Sequence, residues 1–95
     1  MKLLTDLEIE KRLTDLPDWD HHENALYTEF EFDNFKNCMS AVMRIAFECE
    51  KLNHHPDWSN VYNHLKIKLT THDAGGVTEL DFKLAKSIEE IVEVE

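Results

Sequence analysis

Residues 50–81 read EKLNHHPDWSNVYNHLKIKLTTHDAGGVTELD, and this stretch decides the fold of the chain. Residues 65–71 alternate apolar and polar side chains, a pattern typical of a strand with one buried face. Residues 58–62 are predicted to form a shorter strand, and the pair Asn63–His64 between the two favours a turn. The segment therefore predicts a β-hairpin, with a helix end before it and a glycine pair after it.

Histidines lie at both ends of this predicted hairpin. His54 and His55 precede Pro56, and His72 follows the second strand. Because proline restricts the residue before it to extended conformations, the direction of the His55 side chain is constrained. Binding and catalytic residues are often carried on loops that a rigid scaffold positions, so these three imidazoles are the candidate functional groups.

The longest helix is predicted before the histidines, over residues 35–52, with its N-cap at residue 33 or 34. Asn53 is suited to end it in the left-handed conformation. Met43 and Phe47 widen the apolar surface of this helix beyond one face. Either the helix packs deeply against a sheet or its second face meets another subunit, and the sequence leaves both open. The apolar stripe consists of Phe35, Cys38, Met39, Val42, Ile45, Ala46, Cys49 and Leu52.

The order of elements predicts an α+β fold. Thr5 with Glu8, and Thr78 with Asp81, match the capping-box pattern of a helix start. The predicted elements are a helix over residues 6–14, strands over 19–22 and 26–32, a helix over 35–52, strands over 58–62 and 65–71, and a helix after residue 78. This α-β-β-α-β-β-α order favours a four-stranded antiparallel sheet with three helices packed on one face.

Length and composition bound the class of protein. At 95 residues the chain is expected to form a single domain over residues 1–95. It has 20 acidic against 10 basic residues and a net charge of −10, which disfavours direct binding of nucleic acid. No apolar run approaches the roughly 20 residues that span a membrane, and the N-terminus lacks the apolar core of a signal peptide. We therefore expect a soluble cytoplasmic protein.

The two cysteines are predicted to be buried apolar residues. Cys38 and Cys49 fall on the stripe of one helix, where they would be separated by about 16 Å of helical rise. A disulfide needs Cα atoms within about 7 Å, so the two cannot pair with each other. We expect free thiols in a reducing compartment.

Three interpretations of the histidines remain open from the residues alone. Imidazole titrates near neutrality, so a pair flanking a substrate can act as acid and base, the division of labour that loss of water requires. A metal site is the second interpretation, with His54, His55, His72 and Asp73 as candidate ligands. The third is polar histidines without function.

A phosphate-binding loop is excluded because the only glycines are Gly75 and Gly76.

A specific set of residues resembles a known family. The set is Glu50, the run His54-His55-Pro56, Tyr62, His72 and Asp81, and it extends through Trp58, residues 60–63, residues 71–72 and residues 76–78. At these separations the chain resembles the pterin-4a-carbinolamine dehydratases over nearly its whole length. The resemblance implies dehydration of a 4a-hydroxytetrahydropterin to the quinonoid dihydropterin, without metal or organic cofactor, in recycling of tetrahydrobiopterin.

The resemblance also implies roles for individual residues. His54 and His72 correspond to the proton-transfer pair, and His55 to a residue that binds and orients the pterin substrate. The residues expected to line or shape the pocket are Pro56, Asp57, Trp58, Thr70, Thr71 and Asp73. Asp81 either orients a histidine or serves only as a helix cap. Asn53 departs from the pattern, because some relatives carry aspartate there.

The resemblance further implies homodimers or homotetramers, which would account for the broad apolar surface of the helix over residues 35–52. Animal relatives also bind a homeodomain transcription factor as a dimerisation cofactor. A non-catalytic protein-binding module that uses the exposed face of this helix is therefore the alternative function.

Overall fold

The predicted α+β fold is confirmed by the computed structural model, which describes residues 1–94. A single turn of 3₁₀ helix over His72–Ala74 follows the last strand. The helices and strands are α1 (Asp6–Leu13), β1 (Asp20–His22), β2 (Ala25–Glu31), α2 (Phe35–Leu52), β3 (Asp57–Val61), β4 (His64–Leu69) and α3 (Glu79–Glu93). The predicted order is therefore correct, and the limits of α2 agree with the prediction.

Each of the three helices begins at the polar residue that the sequence indicated. Thr5 Oγ1 accepts from the Glu8 backbone N–H at 3.1 Å, and the Glu8 carboxylate accepts from the Thr5 backbone N–H at 2.9 Å. Asn34, not residue 33, caps α2 by accepting from the Asn37 N–H at 2.8 Å. Thr78 forms a second capping box with Asp81. These bonds satisfy N–H groups that have no partner within the helix.

The sheet is fully antiparallel, with strand order β1-β2-β4-β3. The loop Glu23–Asn24 joins β1 to β2, and both residues have positive φ, as a two-residue hairpin turn of type I′ requires. The prediction of a turn at Asn63–His64 is wrong by one residue. The turn is Tyr62–Asn63, with φ of 52° at Tyr62, and His64 already pairs with Val61 in the ladder.

Side-chain amides stabilise this second turn. The Asn60 Nδ2–H group donates to the backbone carbonyls of Tyr62 and His64, each at 2.9 Å. The Asn63 amide donates to the Phe32 carbonyl at 2.6 Å. These bonds offset the unfavourable left-handed conformation of a tyrosine.

The core lies between one face of the sheet and the helices. Alternate residues of the two central strands point into it, as the period-two pattern predicted. The alternating buried strand residues are Leu26, Thr28, Phe30, Leu65, Ile67 and Leu69, and the helices contribute Ile9, Cys38, Ala41, Ile45, Cys49, Phe82, Leu84, Ala85 and Ile88. No helix within residues 1–94 has the length and apolar composition needed to cross a membrane.

The exposure of residues on α2 corrects part of the apolar stripe predicted for this helix. Phe35 was placed on the buried stripe but is 48% exposed, because it lies at the first turn, beyond the edge of the core. Met43 and Phe47 are 60% and 69% exposed, so they do not pack against the sheet of this chain. Each is two residues from the fully buried Ile45, which places it about 200° around the helix.

Both cysteines are buried free thiols, as predicted. Burial raises the pKa of the Cys38 thiol, and it raises the pKa of Cys49 to about 11. The nucleophilic thiolate is therefore scarce at neutral pH, and both residues serve as apolar core side chains.

A buried indole joins the β1 end of the sheet to α3. Trp19 is 3% exposed, and its Nε1–H donates to Glu89 Oε1 at 2.7 Å. Burial raises the pKa of Glu89, the indole bond opposes this, and the nearby carboxylates of Asp18 and Glu93 add to it. Because the pKa is raised in the folded state, ionised Glu89 lowers stability at neutral pH, and this penalty disappears as the pH falls below its unfolded value.

We therefore expect Glu89→Gln to be more stable than the parent chain at pH 7. Glutamine keeps an oxygen for the indole but carries no charge, so Tm should rise by about 2–4 °C. The difference should vanish near pH 4, where Glu89 itself is protonated. Thermal unfolding at both pH values measures this, with the exposed Glu90→Gln as a control for the change in net charge. An equal rise in the control would contradict the prediction.

Candidate active site

The C-terminus of α2 positions the first two histidines. Asn53 has φ 50° and ψ 45°, the predicted left-handed conformation, and its N–H donates to the carbonyls of Cys49 and Glu50. The His54 N–H also donates to the Cys49 carbonyl, at 3.0 Å. This C-cap turns the chain out of the helix in a single defined direction. The backbone of His54 is therefore fixed to the helix end, and His55 follows it directly.

His54 is hydrogen-bonded to a buried carboxylate. Its Nε2 lies 2.6 Å from Oδ1 of Asp81, which is fully buried, and the His54 side chain is only 10% exposed. The second oxygen of Asp81 accepts from the Thr78 backbone N–H at 2.8 Å. The sequence left open whether Asp81 orients a histidine or caps a helix. Asp81 does both, because Oδ1 binds the His54 ring and Oδ2 caps the helix.

The turn that carries His72 is closed by its own backbone hydrogen bonds, and the N-terminal segment packs against it. The Thr71 N–H donates to the Gly76 carbonyl at 2.9 Å, and the Gly75 N–H donates to the Thr71 carbonyl at 3.0 Å. Gly75 has φ of 79°, which glycine adopts without strain. A Cβ at Gly76 would lie 2.9 Å from the side chain of Leu3, so the N-terminal segment packs directly on this turn.

Thr71 connects this turn to the His54 site. Its hydroxyl donates to Asp81 Oδ2 at 2.8 Å and lies 2.7 Å from the hydroxyl of Thr78. Thr71 is 9% exposed and Thr78 is fully buried. Both segments that bear the predicted proton-transfer histidines are thus tied to one carboxylate.

His55 is paired with a carboxylate at the surface. Its Nε2 lies 2.7 Å from Oε2 of Glu50, and the two side chains are 58% and 76% exposed. Glu50 stands in the last turn of α2, five residues before His55, so the helix end brings the two together. The pairing directs the imidazole while leaving much of it open to a ligand.

The other predicted site residues differ in their exposure to solvent. Asp57 and Asp73 are exposed, and Pro56, Trp58 and Thr70 are half-buried. The Thr70 hydroxyl donates to the Asn24 carbonyl at 2.8 Å, which ties the end of β4 to the β1–β2 turn. Thr71 and Asp81 are buried, and their polar side-chain atoms are used within the protein.

A concavity of about 630 Å³ lies on the open face of the sheet. Asp57 and Trp58 border it, but its lining does not include the three histidines. The remainder of its lining includes Asp20, Tyr27, Glu29, Lys66 and Lys68. Within residues 1–94, no cluster of three or more histidine, cysteine or acidic residues has the arrangement of a metal site. The alternative ligand set of His54, His55, His72 and Asp73 is therefore not arranged as a metal site in this structure.

Two contributions were not assigned from the sequence. Thr78 was identified only as a helix cap, and no role was assigned to Glu50. A signal existed for Glu50, because a carboxylate in the last helical turn can reach a residue just past the C-cap. No local signal existed for the Thr71–Thr78 contact, because hydroxyl pairing across a turn depends on the folded backbone.

Comparison with known proteins identifies the family. A sequence model of pterin 4 alpha carbinolamine dehydratase matches residues 2–91. The chain belongs to this family.

Individual relatives agree over almost their whole lengths. A protein of Christiangramia forsetii, provisionally named as a pterin-4-alpha-carbinolamine dehydratase, is 50% identical over 93 residues, covering 98% of this chain and 96% of the relative. One from Prochlorococcus marinus strain MIT 9515, with the same provisional name, is 46% identical and covers 96% and 95%. These relatives support a dehydratase, so the chain is classed as a lyase of the pterin dehydratase family.

Solved structures agree in fold. The crystal structure of a transcriptional coactivator/pterin dehydratase from Brucella melitensis superposes with a TM-score of 0.94 at 35% identity, over 96% of this chain and 99% of that chain. A pterin dehydratase-like protein described as a RuBisCO assembly factor in the alpha-carboxysome has a TM-score of 0.66 at 15% identity, over 78% and 86%. The second likeness concerns the fold alone.

Replacement of Asp81 by asparagine should destabilise the fold strongly. The amide would set an N–H₂ group against donors that now bond to a buried carboxylate, so we expect a loss of about 2–4 kcal/mol of unfolding free energy. Urea unfolding at pH 7 measures this. Glu50→Gln, which alters the exposed pair with His55, should cost about 0.5 kcal/mol or less. Similar losses in the two variants would contradict the distinction between the pairs.

Proposed function

We propose that this protein dehydrates 4a-hydroxytetrahydrobiopterin to quinonoid dihydrobiopterin and water, in recycling of tetrahydrobiopterin. The observation that carries the proposal is the buried Asp81, which holds the ring of His54 and, through Thr71, the turn that bears His72. Two imidazole-bearing segments joined to one rigid group suit a reaction that needs two coordinated proton transfers.

The reaction requires one proton to be given and one to be taken. The bond between C4a and the hydroxyl oxygen breaks, and that oxygen leaves as water after it receives a proton. A proton leaves the adjacent ring nitrogen as the carbon–nitrogen double bond forms. His54 and His72 share these two transfers, and the sum of protons is unchanged, so no redox partner or metal is needed in the proposal.

His55 is proposed to bind and orient the pterin. Its exposed ring, directed by Glu50 at 2.7 Å, can donate or accept a hydrogen bond with the heterocycle. Pro56, which follows it, limits its backbone to extended conformations. The neighbouring residues proposed to contact the substrate are Asp57, Trp58, Thr70 and Asp73. Thr71 and Asp81 are proposed to shape the pocket from beneath.

The dehydration rate of freshly generated 4a-hydroxytetrahydrobiopterin, read by absorbance with a chelator present, tests the proposal. The wild-type protein should accelerate the reaction over the spontaneous rate. His54→Ala and His72→Ala should each lower kcat by about 10²–10⁴-fold, the usual contribution of general acid–base catalysis.

His64→Ala is the matched control for this assay. His64 lies at the start of β4, within 3.4 Å of Glu29 and 3.3 Å of Glu31, and is not a proposed site residue. Its removal should leave the rate within about twofold of the parent. Absence of acceleration by the wild type, or an equal loss in the control, would refute the assignment.

The outward face of α2 supports a second candidate function, assembly with another protein chain. Met43 and Phe47 are mostly exposed large apolar side chains on this face. Contiguous exposed apolar surface of this kind marks interaction sites. We propose that this face carries a homodimer or homotetramer contact, and that it is also the surface a non-catalytic binding role would use.

Replacement of both Met43 and Phe47 by serine should shift the protein towards monomer, measured by sedimentation velocity at several concentrations. The variant removes apolar area that only an interface would bury. Leu7→Ser is the control, because Leu7 is an 80% exposed apolar side chain on a different helix, α1. A wild type that is monomeric throughout, or a response to Leu7→Ser as large as that of the double variant, would refute the assembly role of this face.

Charge and family membership support the remaining features of the proposal. We propose that residues 1–95 act as one domain in the cytoplasm. The net charge of −10 disfavours direct contact with nucleic acid. The pterin is the proposed small-molecule partner, and no organic cofactor is proposed.

A further inference from the structure

The hydroxyl groups of Thr71 and Thr78 lie between the N-terminus of α3 and the carboxylate of Asp81. Thr78 is fully buried and Thr71 is 9% exposed, so water does not provide alternative partners for them. The separations are 2.7 Å between the hydroxyls and 2.8 Å from Thr71 to Asp81 Oδ2. The inference below rests on the proposed dehydratase function.

The groups at the two ends of this series of hydroxyls determine the direction of each hydrogen bond in it. An ionised carboxylate only accepts hydrogen bonds, so Thr71 must give its one hydroxyl proton to Asp81. Thr71 Oγ1 can then only accept from the hydroxyl of Thr78. Thr78 is free to donate, because its own oxygen accepts from the Leu80 backbone N–H at 3.3 Å in the first turn of α3.

The same reasoning places a proton on His54. Oδ1 of Asp81 accepts at 2.6 Å from the His54 ring, so Nε2 carries the hydrogen. Negative charge on Asp81 is also favoured at its position beside the N-terminus of α3. In the neutral imidazole the other nitrogen, Nδ1, is then the acceptor. The bond to Asp81, whose other oxygen accepts from the hydroxyl of Thr71, thus leaves Nδ1 as the nitrogen of His54 with a free lone pair.

We propose that Thr71 and Thr78 are positioning residues for catalysis: their directed hydroxyl chain holds Asp81 in place, keeps the proton of His54 on Nε2 and presents Nδ1 to the substrate. Thr71 has a second consequence. Its backbone closes the turn that bears His72, through bonds with Gly75 and Gly76. A single residue therefore fixes the relative placement of the two proton-transfer groups.

Thr71→Val tests the hydroxyl chain with little change in the shape of the side chain. Without its hydroxyl, Oδ2 keeps only the Thr78 backbone N–H, and the carboxylate is less constrained against His54. We expect kcat to fall about tenfold, because a less constrained carboxylate positions His54 less well for proton transfer, with KM within about twofold. Thr71→Ser restores a hydroxyl at the same place and should recover most of the rate.

A spectroscopic reading makes the test independent of activity. In protein with ¹⁵N-labelled histidine, long-range proton–nitrogen correlation shows which ring nitrogen of His54 carries hydrogen. The wild type and Thr71→Ser should show a slowly exchanging hydrogen on Nε2. In Thr71→Val and Thr78→Val this hydrogen should exchange faster with water or change its resonance, whereas Thr78→Ser should resemble the wild type.

Thr28→Val is the matched control. Thr28 is buried on β2, and its hydroxyl donates to the Asp18 carbonyl at 2.8 Å, so the variant also loses one buried hydroxyl bond, but without contact to Asp81. It should leave both kcat and the His54 resonance unchanged. Dispersed amide spectra establish that each variant is folded. If Thr78→Val does not fold, the comparison of valine and serine at position 71 decides.

Three outcomes would overturn the inference. The first is a wild type with the hydrogen on Nδ1 of His54. The second is Thr71→Val with an unchanged His54 resonance, and the third is a Thr71→Val rate equal to that of Thr28→Val. A wild type without dehydratase activity would refute the proposed function instead, and the His54 resonances alone would then decide whether the hydroxyl chain exists.

Discussion

Asp81 is a carboxylate with no exposure to solvent, and three parts of the fold meet at it. Its oxygens accept from His54 past the end of α2, from Thr71 past the end of β4 and from the backbone of Thr78 before α3. A buried charge of this kind is tolerated only when donors surround it, so the three segments must arrive together. This requirement fixes the relation between the helical layer and the end of the sheet.

The neighbouring histidine is held in a different way. His55 pairs with Glu50 at the surface, where water screens the interaction and competes for it. The Asn53 cap places the two histidines on either side of the chain as it leaves α2, so one ring faces the interior and the other faces solvent. The difference in burial is consistent with the proposal that His54 transfers a proton and that His55 binds the pterin.

The two faces of α2 differ in burial. The face that carries Cys38, Ala41, Ile45 and Cys49 is fully committed to the core. The opposite face presents Met43 and Phe47, which contribute nothing to the core of this chain. Because a 95-residue domain buries a modest share of its surface, an additional apolar contact would add stability that the single chain lacks. His54 and His55 follow the end of the same helix, whereas His72 follows β4.

The sequence by itself determined the order of elements, because apolar periodicity and capping residues are local properties of the chain. It also indicated the three histidines and the left-handed Asn53. The turn at Tyr62–Asn63 was misplaced by one residue, because a tyrosine with positive φ is stabilised by the amides of Asn60 and Asn63 rather than by its own preference. Only the tertiary structure decided that Phe35 is exposed, and only it joined His54 to Asp81 across 27 residues. Hydrogen bonds between distant side chains depend on where the packed backbone places them, and no local pattern in the chain records that placement.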